Sequence, residues 1–257
     1  MSRLSSLDRL LWELVEIPSI NPSLECKDAD LTGEERIAQY IEGKSNAAGI
    51  ECKRMKVLPG RENLVIRLKP SGKIKNKVML TPHMDVVPAN PDAFFPKIKN
   101  GCLFGRGACD TKGSIASFFH AFLRLSKKRN RPKNTEITFV GLVDEEFGQA
   151  GSRKLAQKGP RANLAIAGEP TNLKVVSAHK GNLWIRLSTK GKAAHGSTPQ
   201  HGSNAINHMF PILDALSNEY PKLLLERKHP LLGSPTISIG KIRGGSQPNV
   251  VPDSCEI

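Results

Sequence analysis

Aromatic residues are scarce in this 257-residue sequence, which holds two Trp, two Tyr and nine Phe. Proteins that grip single-stranded nucleic acid stack bases on aromatic rings, and so few scattered rings argue against that mode. Cysteine is sparse as well: Cys26, Cys52, Cys102, Cys109 and Cys255 are odd in number and form no CxxC pair. That excludes both a disulfide framework and a thiolate zinc knuckle, and it fits a reducing, cytoplasmic compartment. Long hydrophobic runs are missing, since no stretch approaches the roughly 20 apolar residues of a membrane span. The opening "MSRLSSLDRLLWELVEIPS" carries Asp8 and Glu13 among its leucines, so neither export nor membrane insertion is expected. No internal repeat or low-complexity tract is evident, which excludes a solenoid. Acidic charge is in short supply, with 24 Asp and Glu against 38 Lys and Arg and a formal net charge of +14. The densest basic cluster, "SKKRNRPKN" (Ser126 to Asn134), falls where a helix should give way to a loop, and the other cations are spread along the chain. This reads as a solvated basic surface able to attract anionic metabolites, with no nucleic-acid partner.

Near the start, Leu7, Leu10, Leu11, Leu14 and Val15 share one helical face that Pro18 closes. A second helix is predicted in "TGEERIAQYIEGKSNAAGI": Thr32 and Glu35 have capping-box spacing, Ile37, Tyr40 and Ile41 supply the apolar face, and Gly49 is the stop. Strand-like runs follow at Asn63 to Leu68, Lys77 to Thr81, Glu136 to Val143 and Asn163 to Gly168. Helical segments at Ser114 to Lys128 and Gly151 to Gly159 separate the last three. That alternation predicts an α/β domain over residues 1–173, a mostly parallel sheet flanked by helices. From about residue 174 the pattern changes. "KVVSAHKGNLWIRLSTKGKAAHG" alternates like an antiparallel strand pair, Ser203 to Tyr220 form an amphipathic helix with Ile206, Met209, Phe210 and Leu213 on its face, and "SPTISIGKIRGG" and "NVVPDSCEI" supply two more strands. Residues 174–257 thus read as a smaller α+β domain, an antiparallel sheet with helices, that stops inside its last strand.

The informative feature is what ends each strand of the first domain. "VMLTPHMD" ends in His83 and Asp85; "CLFGRGACDTKG" places Asp110 just before a helix; "ITFVGLVDEEFG" ends in Asp144, Glu145 and Glu146; "LAIAGEPT" ends in Glu169. Ligand sites in open parallel sheets form outside the carboxyl ends of the strands, so these groups are expected to meet in one crevice. An imidazole and several carboxylates in one place call for a cation, because without one the carboxylates repel and their pKa values rise. The nitrogen and oxygen donor set suits zinc, and also cobalt or manganese.

"HMDVVPA", "GRGACDTKG", "VDEEFGQAGS", "GEPTN", "HKG" and "GKAAHGSTPQHGSNAI" together resemble the successive motifs of the zinc-dependent aminoacylase family of metallopeptidases. That family includes acetylornithine deacetylase, succinyl-diaminopimelate desuccinylase, glutamate carboxypeptidase and several dipeptidases, and the likeness runs from about Leu14 to Ile257. It implies two zinc ions per intact active site, with His83, Asp110 and Glu169 on the first and Asp110 and Glu146 on the second. Asp85 would orient the His83 ring, and Glu145 would act as general base on the attacking water. His195, in the lid and dimerisation domain, would steady the oxyanion across a homodimer interface. Asn249 and Lys180 would contact substrate. The resemblance thus implies hydrolysis of an amide bond in an N-acyl amino acid, with dipeptidase or carboxypeptidase action as the alternative. It also implies that both domains are incomplete at the carboxyl end, where the family carries a further zinc-ligating histidine. The chain then reads either as the amino-terminal part of a working amidohydrolase or as an inactive remnant that binds one zinc.

Overall fold

The computed structural model describes residues 4–128 and 131–257. The chain divides into two compact units, Met1–Leu173 and Lys174–Ile257. The first begins with α1 (Ser6–Val15), whose entry is fixed by a capping box: Ser5 Oγ accepts the Asp8 backbone N–H, and the Asp8 carboxylate accepts the Ser5 N–H. Helix α2 (Glu35–Ala47) follows, and here the expected Thr32/Glu35 box does not form. Thr32 Oγ1 donates instead to the Ala29 carbonyl at 2.7 Å, and the helix starts from Glu34, whose carboxylate is turned inward. Gly49 ends the helix region with φ +70°, a left-handed conformation open to glycine.

The main sheet contains β1 (Cys52–Leu58), β2 (Arg61–Leu68) and β3 (Asn76–Thr81). A small hairpin, β4 (Lys97–Lys99) with β5 (Cys102–Phe104), precedes α3 (Lys112–Ser126). Then come β6 (Thr135–Gly141), α4 (Ala150–Lys158) and β7 (Leu164–Ala167). Strand order is β1-β2-β6-β3-β7. The pairs β6–β3 and β3–β7 are parallel, and β1–β2–β6 adds an antiparallel flank. Strand β1 has no counterpart in the sequence reading because Lys53, Arg54 and Lys56 break its apolar pattern. The charge has a use, since Arg54 bridges to Glu35 and Glu42 on α2 at 3.1 and 2.8 Å.

Side chains alternate across the sheet. On one face Leu64, Ile66 and Phe139 pack with Leu14 of α1, Ile37 and Ile41 of α2 and Ile115, Phe119 and Phe122 of α3; on the other Val65, Met79 and Val140 meet Leu155 of α4. Strand β7 is an edge, with Leu164 and Ile166 exposed. His120 ties α3 to α1 through the Ser6 hydroxyl at 2.9 Å.

The second unit holds a three-stranded antiparallel sheet, β8 (Ser188–Lys190), β9 (Arg243–Gly244) and β10 (Ser254–Glu256), in the order β8-β10-β9. Helix α5 (Ala205–Asp214) covers it, a π-helical turn (Ala215–Glu219) follows, and α6 (Tyr220–Leu225) ends the helical stretch. The strand pair expected from residue 174 onward is limited to β8: its ladder with β10 ends where Leu187 and Ile257 exchange hydrogen bonds, and no strand ladder carries residues 174–186. Likewise only Arg243–Gly244 of "SPTISIGKIRGG" is strand. Phe210 corrects the predicted helix face. Ala205 and Met209, one turn apart, are buried against Cys255 with Ile206, Ile212 and Leu213 beside them, which leaves Phe210 facing solvent. Among the described residues no helix is long and apolar enough to cross a membrane.

The Phe119 and Phe139 rings lie 5.6 Å apart at the centre of the larger core, both fully buried. Truncating Phe119 to alanine is therefore expected to cost about 3–5 kcal/mol, read as a lowered urea midpoint at unchanged slope.

Candidate metal centre

The carboxyl ends of β3, β6 and β7 and the amino end of α3 all deliver polar residues to one place. Past β3 the chain continues beside the end of β6, with Met84 N–H donating to Leu142 O at 2.8 Å and Leu142 N–H to Pro82 O at 2.9 Å. This pins His83 in the interior, 2% exposed. On the far side Asn21 N–H donates to Val86 O and Val86 N–H to Ser19 O, so the segment after α1 runs alongside Asp85. Asp110 sits just before α3, where the Thr111 hydroxyl donates to His83 O at 2.9 Å and the Asp110–Thr111 peptide bond is cis. Lys112, wholly buried, anchors the first turn of α3 by donating to Ile17 O at 2.7 Å, with its ammonium 5.3 Å from the Phe94 ring centre. Burial pulls its pKa down to about 7.

Around the outward-facing Nε2 of His83 stand Asp110 Oδ1 at 3.0 Å, Glu169 Oε1 at 3.9 Å and Glu145 Oε2 at 4.0 Å. Ligand atoms of His83, Asp110 and Glu146 all lie within 4.8 Å of one another. The structure therefore gathers all four expected metal ligands and the expected base about one imidazole nitrogen. The trio that meets this mutual distance takes Glu146 with His83 and Asp110, whereas the sequence reading put Glu169 with that pair.

Asp85 lies behind the ring and does more than orient it. His83 Nδ1 is 3.0 Å from the Asp85 carbonyl and 3.5 Å from its Oδ1. The same carboxylate accepts the backbone N–H of Glu145 at 3.1 Å and of Glu146 at 3.0 Å, and the Asn21 side-chain amide at 2.7 Å. Asn21 Nδ2 also reaches Asp144 Oδ1 at 3.1 Å. Asn21, with Glu34 and Arg61 beyond it, is absent from the sequence-derived site. These are single polar residues far away in sequence, without a motif to mark them.

Electrostatics show what the cluster lacks. Burial of His83 disfavours its charge, yet the hydrogen bonds to Asp110 and Asp85 and the surrounding carboxylates overcome this and push its pKa up to about 11. Glu146 is raised to about 7, first by burial and then by repulsion from Asp110, Asp85 and Glu145, with His83 opposing. Glu145 and Glu169 are raised for the same reasons. Asp85 is lowered because its contacts to His83 and to two backbone N–H groups outweigh burial. A proton on His83 is a poor substitute for the missing positive charge. An N/O donor set with one imidazole held from behind by a carboxylate fits a divalent cation at Nε2.

In the second unit, Gly196 N–H donates to Asn249 O at 2.8 Å, and His195 bridges to Val250, which brings His195 and Asn249 to one corner. The Ser197 backbone N–H points at His195 Nδ1 at 3.2 Å. A backbone amide only donates, so Nδ1 accepts, and in the neutral ring the proton sits on Nε2. Lys180 donates to the Ser234 carbonyl and is exposed.

A sequence profile of peptidase family M20/M25/M40 matches residues 79–254. This chain belongs to that family. It is 34% identical over 229 residues to an acetylornithine deacetylase of Myxococcus xanthus, covering 85% of this chain and 59% of that one. A probable carboxypeptidase of Paracoccidioides brasiliensis is also 34% identical, over 244 residues, covering 89% of this chain and 51% of the relative. The chain thus spans between half and three fifths of the length of these curated relatives. The crystal structure of a tripeptidase from Staphylococcus aureus superposes with a TM-score of 0.60 at 27% identity, covering 97% of this chain and 64% of that one.

Metal binding must expel the protons that the cluster holds, so affinity will fall as pH falls. With His83 near 11 and Glu146 near 7, titrating cobalt or zinc should release about two protons per ion near pH 6 and about one near pH 8. Calorimetry in buffers of different ionisation heat counts them. Release of none near pH 8 would refute the protonated imidazole.

Proposed function

We propose that the protein hydrolyses the amide bond that joins an acyl group to an amino acid, with its metal site in residues 1–173 and residues 174–257 serving as lid and dimerisation unit. The observation that carries this reading is the placement of Glu145. Its N–H is tied to Asp85, its carboxylate lies 4.0 Å from His83 Nε2, and its neighbour Glu146 belongs to the metal-fitting trio. His83, Asp110, Glu146 and Glu169 would hold zinc, with cobalt or manganese as substitutes, Asp110 having an oxygen to spare for a second ion. When bound, the metal would polarise the scissile carbonyl and make water more acidic.

Glu145 then does the proton work. It takes a proton from the attacking water and returns it to the leaving nitrogen. Asp85 keeps this group and the His83 ring aligned through both transfers. His195, with its proton on Nε2, is the donor for the oxyanion, supplied across a homodimer interface, while Asn249 and Lys180 contact the substrate. The named relatives support an acylated amino acid such as acetylornithine, and a cytoplasmic site of action accords with the five free cysteines. A peptide substrate is the second reading, favoured by the equal identity to the carboxypeptidase and by the tripeptidase fold match.

Replacing Glu145 with glutamine should lower turnover of N-acyl amino acids by about 10²–10⁴-fold. Metal content by mass spectrometry should stay at the wild-type level. Wild-type turnover in this variant would remove Glu145 from the mechanism.

A further inference from the structure

Behind the metal-facing carboxylates lies a second, largely buried set of charges. Arg61, the first residue of β2, forks onto Glu34: Nε donates to Oε2 at 3.0 Å and one terminal nitrogen donates to Oε1. The other terminal nitrogen donates to Asp144 Oδ1 at 3.0 Å and to Ser23 Oγ at 3.3 Å. Glu34 closes the circuit, since its Oε1 also accepts the Asp144 backbone N–H at 3.2 Å. Asp144 is thus gripped at its amide and its carboxylate by an ion pair whose side chains are 10% and 2% exposed.

The grip matters because of where Asp144 stands. It has φ +65°, a left-handed conformation uncommon outside glycine, and the chain leaves it straight into Glu145 and Glu146. Its Oδ2 accepts the Ala150 N–H and so ties down the start of α4, and a Cβ on Gly148 would come within 2.5 Å of that oxygen. Asn21 then links Asp144 to Asp85, which holds the N–H groups of Glu145 and Glu146.

We propose that Arg61 is a positioning residue for the metal centre: paired with Glu34, it holds Asp144 in the turn from which Glu145 and Glu146 reach the metal. This rests on the reading of Glu145 and Glu146 as base and ligand, and it acts through Asp144, not on the ion. Lysine cannot replace it. Three acceptor groups need the guanidinium's fixed spread of N–H groups, and a single ammonium would leave a buried carboxylate short of donors.

The test compares Arg61→Lys with Arg54→Lys, which breaks a fork of similar size between β1 and α2. Cobalt affinity is read from the visible absorption band, with thermal midpoint and turnover measured on the same samples. Arg61→Lys should weaken cobalt binding by about tenfold or more, the size of effect seen when groups that orient ligands are removed, while Arg54→Lys stays close to wild type. An Arg61→Lys protein that melts earlier but binds cobalt with wild-type affinity and spectrum overturns the proposal, leaving only a structural role. Should Arg61→Lys fail to fold, Glu34→Gln loosens the same pair from its other side. The same loss of affinity supports the proposal, and wild-type affinity overturns it. Turnover separates the two readings: a wild-type chain that binds cobalt yet cleaves no amide fails the hydrolase reading for this chain and leaves the positioning result standing.

Discussion

The site depends on one buried carboxylate and the donors that satisfy it. Asp85 is fully enclosed, and an ionised carboxylate in that position is tolerable only with several hydrogen bonds to its oxygens. The donors it has recruited are the Glu145 and Glu146 amides and the Asn21 amide, with the His83 ring alongside. Satisfying Asp85 therefore arranges the imidazole and both glutamates at once. The sheet contributes by bringing three separate segments to that carboxylate: the run after α1, the end of β3 and the end of β6.

Charge balance carries the argument outward. Glu34, Asp85 and Asp144 are buried, and Arg61 is the guanidinium set among them. Its charge meets the interior group but not the open side, where Asp110, Glu145, Glu146 and Glu169 crowd one imidazole. Burial first, and then this mutual repulsion, raises the pKa values of Glu145, Glu146 and Glu169. The basic excess of the chain as a whole does not repair this deficit of positive charge, because lysines spread over the surface are screened by salt beyond a Debye length. The deficit is local, and a multivalent cation at His83 Nε2 would meet it.

The sequence made the metal-facing residues legible and hid the ones behind them, for a physical reason. His83, Glu146 and Glu169 each follow a short apolar run, and pairing those runs side by side, β3 between β6 and β7, brings what comes after them to a shared edge; Asp110 stands apart, just before α3. Asn21, Glu34 and Arg61 carry no such mark. Their partners lie 123, 110 and 83 positions away along the chain, so only the closed fold reveals them. The same limit explains Thr32 and Glu35, whose capping-box spacing is real but whose helix starts where Glu34 is drawn to Arg61. In the second unit, residues 174–186 alternate like a strand, yet alternation describes a face to be covered and does not supply the ladder that covers it.

The adjacency of Glu145 and Glu146 is the last consequence of the same constraint. Two neighbouring side chains leave the backbone in different directions, so a base and a ligand can be consecutive residues only if the peptide units between them cannot turn. Asp85 fixes both N–H groups, one to each oxygen, and Asp144 fixes the turn that precedes them. A carboxylate beside a metal would otherwise swing over to ligate it, and the base would be lost as a free group. On the proposed function, keeping Glu145 beside the metal but available for proton transfer would thus be a backbone property, set by residues that touch neither the ion nor the substrate.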